Sequence, residues 1–526
     1  MKKNPNLLWI TAIALGWLFD FLFWKERPGI NFAIFIVLCL IGGFFILRKD
    51  EKHAARGTLW LIPLILFFAA ITFIRAEPLT VFLSVVLTLF LMGVTAITFL
   101  GGRWIWYSLA DYFFGFLKLI GSMIARPLSF SAEVKREEIE NKAAAKKINL
   151  WPVLRGIVIA LPVVAIFAAL LSSADVVFGN QLDAFIKLFK LDNLSEYIFR
   201  LVYILIGAYL LAGVFLHAAS ESKDEKLLGE GKPSLISRFL GFTESAIVLG
   251  SVTVLFAAFV AIQFRYFFGG QSNINIEGYT YSEYARRGFG ELIMVAFFSL
   301  FMILGLGAVT RRENEAQRRA FSGLSVAILA LVLVMLVSAY QRLVLYETAY
   351  GFSRLRAYTH VVLIWIGLLL GAVVVLEILR RERSFATAAL FASIGFVLSL
   401  SLLNVDGFIV RQNVNRATQG KGLDVPYLVS LSTDSVAVLA DEFQSAALPG
   451  LTRDAVGAVL FCRTQSNSGG PAKDWRGFTL SQWRAEAAIN KAQEKLSRYR
   501  IVNENFPIQI LTPGSVLYNC LGGSGD

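Results

Sequence analysis

Apolar residues along this chain come in blocks of roughly twenty, separated by short clusters of Lys, Arg, Asp and Glu. The blocks lie near 7–24, 30–47, 58–75, 79–100, 151–172, 196–218, 243–266, 288–310, 321–341, 358–379 and 385–403. A hydrocarbon layer about 30 Å thick takes about 20 apolar residues in a helix, and only helices or closed barrels leave no backbone group unbonded in lipid. The blocks are too long for barrel strands. The pattern therefore predicts an all-α fold: a polytopic integral membrane helix bundle of about eleven spans. The first block is not read as a cleaved signal peptide, because it carries Asp20, ends in Phe23 and Trp24 and lacks a small-residue cleavage site.

Two further segments read as lying on the membrane. Residues 103–124 mix Arg103, Trp104, Trp106, Tyr107, Asp111 and Lys118 with Phe and Leu, as in an interfacial amphipathic helix. The alternative, a twelfth span, would invert the sidedness of everything downstream. Asp175 to Lys190 alternates apolar and polar residues at helical spacing and suits the opposite interface.

Charge then orients the bundle. Charged residues make up 17% of the 526, against about 25% in soluble domains, and the mean hydropathy is +0.62. Soluble enzymes, disordered tails and small disulfide scaffolds are excluded. The net charge of +12 is concentrated in alternate loops, those holding Arg48, Lys49, Lys135, Arg136, Lys226, Arg311, Arg312, Arg380 and Arg381. By count, about 25 Lys and Arg fall in that set and about 10 in the other. This bias predicts a cytoplasmic amino terminus, makes nucleic acid an unneeded partner, and leaves the lipid bilayer as the certain one.

Four regions follow: 1–100 with four spans, 101–150 as a cytoplasmic interfacial helix and charged loop, 151–403 as a seven-span core, and 404–526 as a small, mainly helical, extracytoplasmic domain. In the last, Thr433 or Asp434 suits an N-cap before Val436, helices are expected around Leu451–Phe461 and Leu480–Tyr499, and Ile508–Leu511 reads as a strand. Gly469, Gly470 and Pro471 separate the helices.

The densest polar groups flank the outer ends of the later spans. They are YTYSEYARRGFGEL with Glu283, Arg286 and Arg287; LYETAYGFSRLRAYTH with Tyr346, Glu347, Tyr350, Arg354, Arg356, Tyr358 and His360; and a stretch with Asn404, Asp406, Arg411, Asn413, Asn415 and Arg416. Tyr346, Tyr350 and Arg354 would share one helical face. Guanidinium forks beside tyrosine hydroxyls suit a phosphate or carboxylate, so Glu283, Arg286, Arg287, Tyr346, Glu347, Tyr350, Arg354, His360, Asp406 and Arg411 form a candidate ligand cup. The plainer alternative is packing ion pairs, Glu283 with Arg287 and Glu347 with Arg354. Asp20, Glu244, Glu291 and Glu377 lie in or near spans, where a carboxylate is either functional or a cap near the interface. The three histidines are scattered, and no HExxH, P-loop, GxSxG or kinase motif occurs, so no metal, cofactor or catalytic residue is assigned. Cys462 and Cys520, alone in the tail, suit one disulfide if the tail is exported, while Cys39 lies within a span.

EYARRGFGEL from Glu283, LYETAYGFSRLR from Leu345, NVDGFIVRQNVNR from Asn404 and LDVPYLVSLSTDSV from Leu423 resemble bacterial multi-pass membrane proteins catalogued only as a domain of unknown function, of the 4173 and 4153 types. The resemblance covers roughly residues 150–445. It implies a bacterial cytoplasmic membrane and brings no activity with it.

Three readings remain. The first is a non-enzymatic protein that binds or moves an envelope component, protein or lipid, through the outer cup; the second is a sensory or interaction component with an exported partner-binding domain. The third, a transferase acting on a lipid-linked substrate, would use Glu283, Glu347 or Asp406 as base. A cavity opening from the cup would favour transport, and a packed bundle the second reading. Alanine at Arg354 or Glu347 is expected to matter more than at Arg318 or Glu315, which read as loop charges that fix orientation. Reporter fusions after Leu403 are expected to be active outside the cytoplasmic membrane; activity only inside would undo both the span count and the surface reading of 103–124.

Overall fold

The computed structural model describes residues 5–141, 151–175, 177–182, 194–223, 238–267, 289–467, 474–503 and 508–520. Up to Leu403 the described elements are helical: α1 (Pro5–Phe23), α2 (Ile30–Lys49), α3 (Arg56–Leu59), α4 (Leu61–Ile74), α5 (Pro78–Ile97), α6 (Leu109–Asn141), α7 (Trp151–Ala174), α8 (Leu194–Ser220), α9 (Phe242–Phe267), α10 (Phe289–Val309), α11 (Glu315–Tyr350), α12 (Arg354–Ile378) and α13 (Phe385–Leu403). Among the described residues, 11 helices are long and apolar enough to cross a membrane, with α3 and α4 counted together. The fold is an all-α, multi-pass membrane bundle.

Membership of that set differs from the expectation in one place. Where residues 103–124 suggested a surface helix, a 3-10 turn at Trp104–Trp106 leads into α6, whose stretch Leu109–Arg136 is among the 11; α7, expected as a span, is a continuous apolar helix of 24 residues. Where a charged loop was expected after residue 124, the helix runs on through Pro127 to Asn141. Of the helix expected over 175–190, residues 177–182 are described and are helical, with the Asp175 carboxylate accepting from the amides of Val177 (2.7 Å) and Phe178 (3.1 Å). The Gly469, Gly470 and Pro471 break lies outside the described residues.

Polar side chains inside the spans bond to their own helices. Thr88, Thr95, Thr98 and Ser299 each donate to the carbonyl four residues earlier, at 2.7, 2.8, 2.7 and 2.7 Å. These hydroxyls are satisfied within their own helices, whereas Ser84, Ser325 and Ser338 keep buried hydroxyls without a hydrogen-bond partner. Glu77 begins α5 as a cap, its carboxylate accepting from the amides of Leu79 and Thr80 at 2.9 and 2.7 Å with Pro78 in the first turn.

The chain divides into two compact units that do not follow chain order. The first comprises residues 1–24, 38–52 and 118–221. There α1 packs on α8 so closely that a Cβ at Gly16 would stand 2.7 Å from the Ile204 carbonyl oxygen, the small-residue contact expected between spans. Asp20, buried in α1, accepts from Arg200 Nε at 2.9 Å and from the Tyr203 hydroxyl, so it is an interhelical ion pair and neither a cap nor an interface-seeking charge.

The second unit comprises residues 25–37, 53–117 and 222–526. Its membrane core is centred on α11, where Ile328, Leu329, Val332 and Ala339 are fully buried. The tail follows as α14 (Val405–Thr418), α15 (Val425–Ser430), α16 (Val436–Gln444), α17 (Gly450–Asn467), α18 (Leu480–Leu496) and strands β1 (Arg500–Asn503), β2 (Gln509–Leu511) and β3 (Leu517–Asn519). The strands form an antiparallel meander in the order β1-β2-β3. Only β2 was legible in sequence. Val410, Leu439, Val456, Leu460 and Ile510 build a core that also takes in Ala357, Val361 and Leu400 from the last spans, so the tail is packed onto the bundle. Cys462 on α17 is bonded to Cys520 after β3, with Cα atoms 5.3 Å apart across 58 residues. Closing a loop of that length contributes about 4 kcal/mol in the chain-entropy account.

One turn decides how the last two long spans meet. α11 stops at Gly351, where a φ of +80° and the approach of Arg416 Nη1 and Asn413 Oδ1 to 2.6 Å of where a Cβ would stand exclude a side chain. Gly351→Ala is expected to lower stability by about 1 kcal/mol or more, read as a fall in the melting temperature of the purified protein in detergent.

Candidate functional site

The end of α11 and the start of α12 meet α14 around a carboxylate with no exposed surface. Asn404, in the left-handed conformation at φ 49°, ends α13 and starts α14, its Oδ1 accepting from the Gly407 amide at 3.2 Å. That corner places Asp406 against Arg354, which donates through Nε at 2.8 Å and Nη2 at 2.6 Å to separate carboxylate oxygens. The Ser432 amide donates to the same carboxylate at 2.6 Å. Asp406 is 0% exposed. The Arg354 amide in turn donates to the Tyr427 hydroxyl at 2.7 Å.

Around this pair the neighbouring turn is closed by the same helix. Asn413 accepts from the Phe352 amide at 2.8 Å and donates to its carbonyl at 2.9 Å, while Arg416 donates to the Ala349 carbonyl at 2.8 Å. A second carboxylate extends the contact to the start of α5. Asp434 accepts from the amides of Ala76 at 2.8 Å and Glu77 at 2.9 Å, and the Tyr358 hydroxyl donates to Glu77. Burial pushes the Asp434 carboxyl up, against the lowering effect of those amides. Arg463, which donates to the Leu431 carbonyl, is pushed down to about 10 by burial. Thr433 and Asp434 therefore do not cap α16 as anticipated. Ser432 caps the 3-10 turn Thr433–Ser435 ahead of it, and Asp434 is spent on the backbone of another segment.

Glu347 and His360 form a separate pair, Nε2 to Oε2 at 2.6 Å, with the Tyr340 ring edge-on to the imidazole at 4.9 Å. Glu347 is 3% exposed, and its Oε1, like Nδ1 of His360, is buried without a hydrogen-bond partner.

Of the cup residues, Arg354 and Asp406 are brought together and Glu347 joins His360, so the expected Glu347–Arg354 pair does not form. The Tyr346 and Tyr350 rings lie 5.0 Å apart, tilted by 46°, but Arg354 does not continue their face because the helix ends at Tyr350. Arg356 instead lies over the Tyr346 ring at 4.2 Å. Arg411 is exposed on α14. Glu283, Arg286 and Arg287, with their anticipated ion pair, lie outside the described residues. Glu77 was not anticipated, although an acidic residue before Pro and ahead of an apolar run is a helix-start signal.

In the first unit, His217 Nδ1 lies 2.8 Å from Ser122 Oγ, and Glu221 lies one turn beyond the histidine. Glu221 is held by Lys118 at 2.9 Å and by Arg126; partial burial raises its carboxyl, and those two cations outweigh it and hold it below the usual range. Its charge is thus committed to cations and not to the imidazole, which leaves the serine without a relay. Among the described residues no group of three His, Cys, Asp or Glu is placed to hold a metal.

A match to the family described as a domain of unknown function (DUF4153) runs over residues 62–442. The chain belongs to this family. The DUF4153 match begins well before residue 150, and so includes Glu77 together with Arg354, Asp406 and Asp434, whereas the disulfide lies beyond it. No curated protein and no solved structure matches the chain.

Removing one partner of a buried ion pair leaves an uncompensated charge, at a cost of about 3–5 kcal/mol. Arg354→Ala or Asp406→Ala is expected to lose that much, measured by denaturation in detergent, and Arg354→Met with Asp406→Leu is expected to lose less than the sum of the two.

Proposed function

We propose that this protein is a non-enzymatic component of a bacterial cytoplasmic membrane that holds residues 404–526 outside, as a rigid platform for an envelope partner. The observation that carries the reading is the commitment of Arg354, Asp406, Asp434 and Glu77 to one another and to backbone. Charges that would recognise a small anion in an open cup here fasten the tail to the span ends. Further anchorage comes from Ile30, whose amide donates to the Phe478 carbonyl at 3.1 Å beside the Arg476–Glu26 pair at 3.7 Å. The neighbouring Trp475 and Trp483 are 56% and 57% exposed, as suits aromatic rings at the headgroup level.

Sidedness rests on the Lys and Arg bias and on the disulfide, which persists in an oxidising compartment. It also requires α6 to lie along the cytoplasmic surface. In support, Asp111 lies 3.5 Å from Arg383 in the α12–α13 loop, and Lys118, two turns on, reaches Glu221 just past α8. Both partners belong to helix ends in the basic set of loops.

The unpartnered Glu347 Oε1 and His360 Nδ1 favour a second reading, in which this pair takes up a proton during transport. The two readings part in spheroplasts. If Arg354 fastens the platform, Arg354→Ala is expected to let external protease cut the tail at least tenfold faster, with loss of complementation of a deletion strain. Loss of complementation at His360→Gln with the tail still protected would favour transport, and a tail that no external reagent reaches would overturn the platform.

A further inference from the structure

At the end of the second unit opposite Asp406, the helices enclose a cavity of about 430 Å³ lined by Arg238, Arg312, Arg318, Arg319, Arg380 and Glu377. It is a built feature. Residues 238–245 are stitched to the end of α10 by Leu240 N to Val309 O at 3.2 Å, Arg311 N to Leu240 O at 2.8 Å, and Ser245 Oγ to Thr310 Oγ1 at 2.7 Å. On the other side Arg380 forks onto Glu315, the first residue of α11, at 2.8 and 3.1 Å. Glu315 and Arg318, expected to be solvated loop charges, are therefore respectively a brace and a wall of the cavity.

Against this basic mouth stands a second space of about 190 Å³, lined by apolar residues including Ile303, Leu304, Phe321, Val373 and Phe385. Arg312 and Glu377 line both spaces. Arg312 is fixed at the boundary, donating to the Gly307 carbonyl at 2.8 Å with its guanidinium over the Phe321 ring at 4.3 Å.

We propose that the two spaces together bind a phosphorylated amphiphile, its phosphate among the arginines and its alkyl chain in the apolar chamber. Among the described residues that line the mouth, five guanidiniums stand beside one carboxylate, Glu377, while Glu315 reaches Arg380 at 2.8 Å and Arg319 at 4.0 Å, so the lining suits an anionic ligand. Arginine forks match phosphate oxygens two at a time, and the amino-terminal end of α11 adds its dipole. A soluble phosphate ester would use the mouth and leave the chamber without a role, whereas a lipid uses both. Unlike the platform reading, this assignment involves neither the tail nor the side of the membrane on which the tail lies.

The test uses the full-length protein in neutral maltoside detergent, with dodecyl phosphate and inorganic phosphate as probes in titration calorimetry. Dodecyl phosphate is expected to bind at least tenfold more tightly. Arg318→Gln with Arg319→Gln, both on an exposed helical face, should weaken it at least tenfold without shifting the melting temperature. Leu304→Trp, which fills the chamber, should bring dodecyl phosphate down to the level of inorganic phosphate. Equal binding of the two probes by the wild-type protein would identify a free-phosphate site and overturn the amphiphile. Unchanged binding in the double arginine variant would show that these charges only orient the helix, and would overturn the site altogether.

Discussion

The Asp406 carboxylate, with no surface in contact with solvent, is tolerable only because two guanidinium nitrogens and one backbone amide meet it. Each donor comes from a different part of the chain: Arg354 begins a span, and Ser432 lies between two tail helices. Satisfying this one charge therefore fixes the angle at which the chain leaves the last span, and with it the position of the hydrophobic core built on Val410 and Leu439. Asp434 repeats the device toward α5, with backbone amides in place of arginine. Buried charge of this kind adds little net stability compared with apolar packing, but it penalises every other arrangement of the same helices.

The two ends of the second unit show opposite uses of arginine. At the Asp406 end Arg354 and Arg416 have fixed local acceptors, the Asp406 carboxylate and the Ala349 carbonyl, and the charges close the structure. At the other end five guanidiniums among the described residues line one space beside a single carboxylate, Glu377. The loops rich in Lys and Arg supply those arginines. Helix packing then turns an orientation signal into a potential binding surface, which requires no residue type beyond what the positive loops already contain.

Lipid places a second constraint on every polar group between those ends. Thr88 and Thr95 of α5 return their hydroxyls to their own carbonyls, and Asp20 takes both an arginine and a tyrosine from α8. Glu347 and His360 each keep one buried polar atom without a hydrogen-bond partner, as do the hydroxyls of Ser84, Ser325 and Ser338. Unlike those serines, both members of the pair can carry charge.

Sequence by itself determined the fold class and the spans, because the length of an apolar run is set by the thickness of the hydrocarbon layer and is therefore a local property. It also marked the polar segments around Glu347–His360 and Asn404–Arg416, which the structure brings together, and the two tail cysteines that it joins. Tertiary structure alone decided the partners. Glu347 and Arg354 look like a pair when read along a helix, but Gly351 ends that helix and sends each to a residue no spacing rule could name, His360 and Asp406. The short strands β1 and β3 were silent for a related reason: with three or four residues each, mostly exposed, they carry no apolar pattern, and only pairing with β2 makes them strands.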